Sequence, residues 1–200
     1  VKRLFQIAVP HRAYFGAKDY QQTLVIRELT ARMLHGDFQD CVPELTLCPI
    51  ARDTKGLALS SRNLRLTDTG KATALALVGA LTLGRHLWRV EGLRDALILQ
   101  SAMESELLAL GGPGLTVEYM AIRDPNSWSA SSPEGDLDQA IALVAAHVDG
   151  VRLIDNMRLD VVASNEAPPL SPRASELAAA LVEAPAKINL FVVYGLDSTA

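Results

Sequence analysis

Two hundred residues with an apolar fraction of 49% can bury one sizeable core, or a small core plus a second compact unit, which excludes disorder as a description of the whole chain. Nineteen Lys and Arg against twenty-three Asp and Glu give a formal charge of -4, without the basic excess of a nucleic-acid binder. Cys41 and Cys48 are too few for a disulfide scaffold and have no histidine at metal-ligand spacing, which points to a reducing compartment, and no apolar run reaches the roughly eighteen residues of a membrane span.

In chain order, Leu4 to Val9 is an apolar run ended by Pro10 and reads as a buried strand, followed by a loop from His11 to Gly16. A helix begins near Asp19, whose carboxylate is placed to cap it, with Leu24, Val25, Leu29 and Met33 as its apolar stripe and Gly36 as its stop. Leu45 and Leu47, with Ile50 beyond Pro49, form a short strand. The turn Asp53-Thr54-Lys55-Gly56 then leads through Leu57-Ala58-Leu59 to Ser60-Ser61-Arg62-Asn63.

A boundary falls near Leu66-Thr67. Gly70 to Trp88 reads as an Ala/Leu helix, apolar on more than one face and so sandwiched; Leu93 to Leu108 reads as a second, stopped by Gly111-Gly112-Pro113-Gly114. Leu115, Val117 and Tyr119 alternate with Thr116, Glu118 and Met120, the pattern of a strand with one wet face. Leu137 to Val148 fits helix or strand, and Val151 to Met157 a strand after the Asp149-Gly150 turn. Asp124-Pro125 and Asp155-Asn156 read as turn formers, and Trp88 and Trp128 as packing residues. Residues 167–172 read as a linker, 173–182 as a short helix and 188–194 as a strand-like run. The expected organisation is a nucleotide-binding part over 1–66, a small α+β domain over 67–160 and a tail over 161–200.

Two polar segments carry the chemistry. Lys18, at the junction of a strand and a helix, adds its ammonium to the free amides of the helix start, and both attract phosphate. Gly16 permits close backbone approach, Asp19 can accept from ribose hydroxyls, and Gln22, one turn on, can orient a polyhydroxy acid. Ser60, Ser61 and Arg62 supply hydroxyls and a planar fork of donors for a phosphate chain. A site of this kind works by positioning and charge, with magnesium carried by the triphosphate. Each segment also fits a plainer role: Lys18-Asp19 as solvated surface, Ser60 to Asn63 as a turn and cap. The catalytic reading requires Lys18 and Arg62 to converge on one anionic ligand. His11, His35, His86 and His147 show no metal spacing.

The stretches Leu4–Ile7, Ala13–Gln22, Gly56–Asn63, Val117–Tyr119 with Arg123–Pro125, and Arg152–Asn156 resemble pantothenate synthetase, a family of ATP-dependent ligases in the HIGH-type nucleotidyltransferase superfamily. The resemblance implies an α/β fold: a partial Rossmann-like sheet lacking its N-terminal strands, followed by the small α+β domain. It implies ligation of pantoate to β-alanine through a pantoyl adenylate, with ATP and Mg2+, in a cytoplasmic homodimer without nucleic-acid or membrane partners. Residue by residue, Lys18 and Arg62 are the catalytic groups; Gly16, Lys18, Asp19, Ala51, Leu59, Ser60, Ser61 and Arg62 bind ATP; Gln22 binds pantoate; no residue binds metal directly. The family's paired histidines have no counterpart here, and Val1 stands where a Met would begin a chain. An upstream segment is therefore expected to be missing, with activity impaired. The alternative is a non-catalytic remnant or dimerisation module of that fold. Residues 34–47 are longer than usual for the family, and Ile50-Ala51-Arg52-Asp53 replaces the commoner Thr-Val-Arg-Glu. Ala184–Phe191 resembles the opening of the 4-diphosphocytidyl-2-C-methyl-D-erythritol kinase family, without that family's phosphate loop.

Overall fold

The computed structural model describes residues 1–35, 39–129, 131, 133–161, 172, 173 and 175. The helix stop expected at Gly36 and the kinase-like stretch 184–191 lie outside them, as does most of the expected linker and tail. The chain divides into two compact units, Val1–Ala51 and Arg52–Ala200.

The first unit opens with helix α1 (Lys2–Ala8), where a strand was expected. Leu4, Ile7 and Ala8 stand at helical spacing, and Val9 closes the helix in a left-handed conformation, its N–H donating to the Phe5 carbonyl. Pro10 is thus the stop that follows a helix C-cap rather than the end of a strand. Only Phe5 of this segment is buried, while Leu4 and Ile7 are exposed. The expected loop after it is strand β1 (Arg12–Gly16), which pairs in parallel with β2 (Glu44–Cys48), Arg12 opposite Glu44 and Gly16 opposite Cys48. Ile50 stays outside β2. Among the described residues no further strand joins this sheet.

Helix α2 (Tyr20–Leu34) buries Thr23, Ile26, Thr30 and Met33; of the apolar stripe expected of it only Met33 is fully buried, Leu24 and Leu29 are partly so, and Val25 is 67% exposed. The threonines can be buried because their hydroxyls are satisfied within the helix. Thr23 Oγ1 donates to the Tyr20 carbonyl at 2.7 Å, and Thr30 Oγ1 to those of Ile26 and Arg27 at 3.1 and 2.9 Å.

In the second unit, helices α3 (Asp68–Arg89) and α4 (Ala96–Gly111) pack on a three-stranded antiparallel sheet, order β3-β4-β5. Thr67 caps α3 through Gly70 N–H, and Asp95 caps α4 through Leu97 and Ile98 N–H. The expected sandwiching of α3 holds: Ala74, Leu77, Leu81, Leu83 and Leu87 are all essentially inaccessible, as is Trp88 at its end. Trp128 is only partly buried.

Strand β3 (Leu115–Arg123) contains a bulge between Val117 and Tyr119. One extra residue reverses the facing of all that follows. Leu115 and Val117 face the core before it, whereas Met120 and Ile122 do so after it, so Met120 leaves the wet face on which simple alternation puts it. The ambiguous segment resolves as β4 (Ile141–Val148), a central strand buried almost throughout. It turns into β5 (Val151–Arg158) through Asp149 and Gly150, both at positive φ, as a two-residue hairpin requires. Among the described residues no helix is long and apolar enough to cross a membrane.

Candidate functional site

In the first unit the candidate residues gather where β1 ends and α2 begins. Gly16 is the last residue of β1; Ala17–Asp19 form a single 3-10 turn, and Tyr20 starts α2. Lys18 therefore lies, partly buried, at a strand-to-helix junction, but the strand that delivers it is β1 and not the run Leu4 to Val9. Asp19 does occupy the N-cap position, but its carboxylate makes no capping hydrogen bond, because the 3-10 turn leaves the residue at φ -94 and ψ 58. The capping expected of this side chain is thus absent. Gln22 is exposed in the first turn of α2. Gly16 has φ -73 and ψ 131, ordinary extended backbone, and a Cβ built there would meet nothing within 4 Å. Among the described residues nothing requires a glycine at this position. Ala51, at the end of this unit, is exposed.

The second unit carries the other segment. Ser60 caps a 3-10 turn over Ser61–Arg65, its Oγ accepting from Arg62 N–H at 3.2 Å, so this hydroxyl does serve the turn-and-cap role. Leu59, Ser61 and Arg62 are exposed and Ser60 partly so. The Arg62 guanidinium donates through Nη1 to the Arg152 carbonyl at 3.3 Å, and Asn63 Nδ2 donates to the Ala58 carbonyl at 3.0 Å.

The loop before this turn is built on Asp53. Its Oδ1 accepts from Lys55 and Leu57 N–H, each at 2.9 Å, and its carbonyl accepts from Gly56 N–H. Gly56 sits at φ 94, which only glycine adopts without strain. Beside this loop lies the feature the sequence did not reveal. Asp155 and Asn156 are not in a turn: they sit within β5 and are buried. Arg52 grips Asp155 with both arms, Nη1 to Oδ2 at 2.7 Å and Nη2 to Oδ1 at 3.0 Å. Its Nη1 also donates to the Gly56 carbonyl at 2.9 Å. The Asp155 side chain is 3% exposed and that of Arg52 24%, so removing Arg52 would strand a buried carboxylate, at a cost of about 3–5 kcal/mol.

On the exposed part of the sheet, Arg152 forms a second bidentate pair, Nε and Nη2 to Glu118 Oε2 and Oε1 at 2.6 and 2.8 Å. His147 Nε2 approaches the same carboxylate at 3.4 Å. The hydrogen bond from Arg152, aided by His147, holds the Glu118 carboxyl below the usual carboxylate range. Among the described residues no three His, Cys, Asp or Glu side chains are grouped so as to hold a metal ion.

A model of the family described as pantoate-beta-alanine ligase matches residues 1–158. The chain belongs to that family. Relatives include the pantothenate synthetases of Gluconobacter oxydans, 41% identical over 159 residues, and of Moorella thermoacetica, 38% identical over 161 residues. Each alignment takes in 80% of this chain but only 54% and 53% of the relative. The crystal structure of pantothenate synthetase from Thermus thermophilus superposes with a TM-score of 0.66 at 34% identity, over 79% of this chain and 53% of the other. The chain thus spans about half the length of the pantoate-beta-alanine ligases it matches. The α/β class and the Rossmann-like topology expected from the sequence agree with that superposition.

Proposed function

We propose that this chain supplies nucleotide- and pantoate-binding groups for the ATP-dependent ligation of pantoate and β-alanine. In that reaction the pantoate carboxylate attacks the α-phosphorus of ATP and pyrophosphate leaves. The β-alanine amine then attacks the acyl carbon of the pantoyl adenylate, the amide forms, and AMP departs. The observation that carries this reading is the setting of Lys18, in the turn between β1 and α2, inside the stretch matched to the family. There an ammonium and the positive end of a 15-residue helix both favour a phosphate group.

Within this reading Lys18 and Arg62 are the catalytic groups, offsetting the negative charge that builds on the α-phosphoryl oxygens. The Asp19 carboxylate, not engaged in capping, accepts from ribose hydroxyls, and Gly16 lets the nucleotide approach the backbone. Ala51 and Leu59 line the adenine, Ser60, Ser61 and Arg62 contact the phosphates, and Gln22 holds the pantoyl hydroxyls. Magnesium, when bound, neutralises phosphate charge. In this reading the ion is carried by the triphosphate, whose oxygens supply most of its ligands. By the same resemblance we place the protein in the cytoplasm as a homodimer, to which the two free cysteines are suited.

Calorimetric titration of ATP into the chain tests the reading. Binding that is weakened tenfold or more by Lys18→Ala and by Arg62→Ala supports it; absence of binding by the folded chain favours a non-catalytic module. Pantothenate formation is then assayed with the chain alone and with the complementary half of a relative supplied.

A further inference from the structure

The pair Arg52–Asp155 joins residues 103 positions apart in sequence, and from it hydrogen bonds reach the loop bearing Arg62. Arg52 holds Asp155 in β5, donates from Nη2 to the Asn156 carbonyl at 3.4 Å and from Nη1 to the Gly56 carbonyl in the loop. Arg52 and Ala58 form a two-residue antiparallel bridge across that loop, closed by Asp53 N–H on the Leu57 carbonyl at 2.9 Å. Leu57 and Ala58, 6% and 4% exposed, are drawn into the interior beside the pair. The Ala58 carbonyl in turn holds Asn63, whose N–H bonds the Ser60 carbonyl within the 3-10 turn. Arg62 then rests on the Arg152 carbonyl, three residues before Asp155 on the same strand. The hydroxyl and guanidinium groups are thus fixed to β5 at two points, by Arg52 and by Arg62 itself.

We propose that Arg52 and Asp155 are positioning residues: a partly buried guanidinium–carboxylate clamp that sets the conformation of residues 53–65 and so aims Ser61 and Arg62 at the nucleotide phosphates. The last clause rests on the ATP reading above; the clamping of the loop does not. The planar fork matters, because it reaches two carboxylate oxygens and the Gly56 carbonyl together, which a lysine cannot do.

The test combines amide hydrogen exchange with ATP titration on the 200-residue chain. Asp155→Asn preserves shape while removing the charge, and Arg52→Lys preserves charge while removing the fork. Both are expected to raise exchange at the Gly56, Leu57 and Asn63 amides tenfold or more. The Val144 and Ala146 amides of β4 should stay as in the unsubstituted chain, and ATP affinity should fall about tenfold. The reciprocal pair Arg52→Asp with Asp155→Arg is expected to recover part of the loop protection. Unchanged loop exchange overturns the clamp, and so does an equal rise in loop and β4, which marks a merely structural pair. Loosened loop amides with undiminished ATP affinity overturn the positioning role. If the unsubstituted chain binds no ATP, the nucleotide reading fails, and the ratio of loop to β4 exchange alone decides the clamp.

Discussion

Asp149 Oδ2 accepts two hydrogen bonds from Thr67, from its N–H at 3.0 Å and from its hydroxyl at 2.7 Å, while the same hydroxyl accepts from Gly70 N–H at 2.9 Å. One residue thus caps α3 and ties its start to the β4–β5 turn. The approach is so close that a Cβ on Gly70 would lie 1.9 Å from Asp149 Oδ2. Gly70→Ala is therefore expected to break the tie even though alanine favours helix more than glycine does. Denaturant unfolding should show a loss of about 1–2 kcal/mol, the scale of a lost cap, and Asp149→Ala should remove most of the further effect of Gly70→Ala. Additive losses would show that the two residues are not coupled.

The Glu118 carboxyl is held below its usual value chiefly by the hydrogen bond from Arg152. A carboxylate with a depressed folded pKa contributes stability that is fully present above the unfolded value, about 4.3, and is lost as pH falls through the lower folded value. Glu118→Gln is therefore expected to lower the thermal midpoint at neutral pH, and the difference from the unsubstituted chain should shrink as pH drops below about 4. The pair is solvent-accessible, so the neutral-pH difference should also diminish in high salt. A midpoint difference that is constant with pH would contradict the assignment.

The contact between α3 and α4 depends on Gly84, where an added Cβ would stand 2.3 Å from Met103 Sδ and 2.8 Å from its Cε. Met103 is inaccessible to solvent, so its thioether would have to repack within the core. Overpacking at such a contact costs about 1–3 kcal/mol, so Gly84→Ala is expected to destabilise by that amount, measured by urea unfolding. Met103→Ala in the same chain should relieve part of the penalty.

The legibility of the sequence followed how many signals each segment carried. Helices α3 and α4 and strand β5 were readable because periodicity and turn glycines agreed, whereas the continuous apolar run of β4 fitted helix and strand alike. Leu4 to Val9 was misread because a short apolar run ending in proline fits both a strand end and a helix stop, and the exposure of Leu4 and Ile7 has no local signature. Helix α2 was placed correctly, yet its buried face is half threonine, which hydropathy alone does not rank as interior. Position 120 was turned outward because a bulge leaves no mark in the pattern of residue types. Among the candidate residues, the helix start beside Lys18 could be read locally, though the strand before it could not. Asp155 could not, since its meaning comes from a partner 103 residues away and Asp-Asn in isolation resembles a turn.

Gly16 offers a test in which stability and function should move in opposite directions. Its backbone is extended and its Cβ direction open, so alanine fits without strain or clash. Replacing glycine at such a position reduces the freedom of the unfolded chain and stabilises by about 0.4–1 kcal/mol. If the glycine is there to let a nucleotide approach the backbone, the added methyl should obstruct that ligand. Gly16→Ala is therefore expected to raise the thermal midpoint slightly while weakening ATP binding tenfold or more by calorimetry. A variant that gains stability and binds ATP as well as the unsubstituted chain would remove Gly16 from the site and leave the Lys18 ammonium as the principal ligand group of that turn.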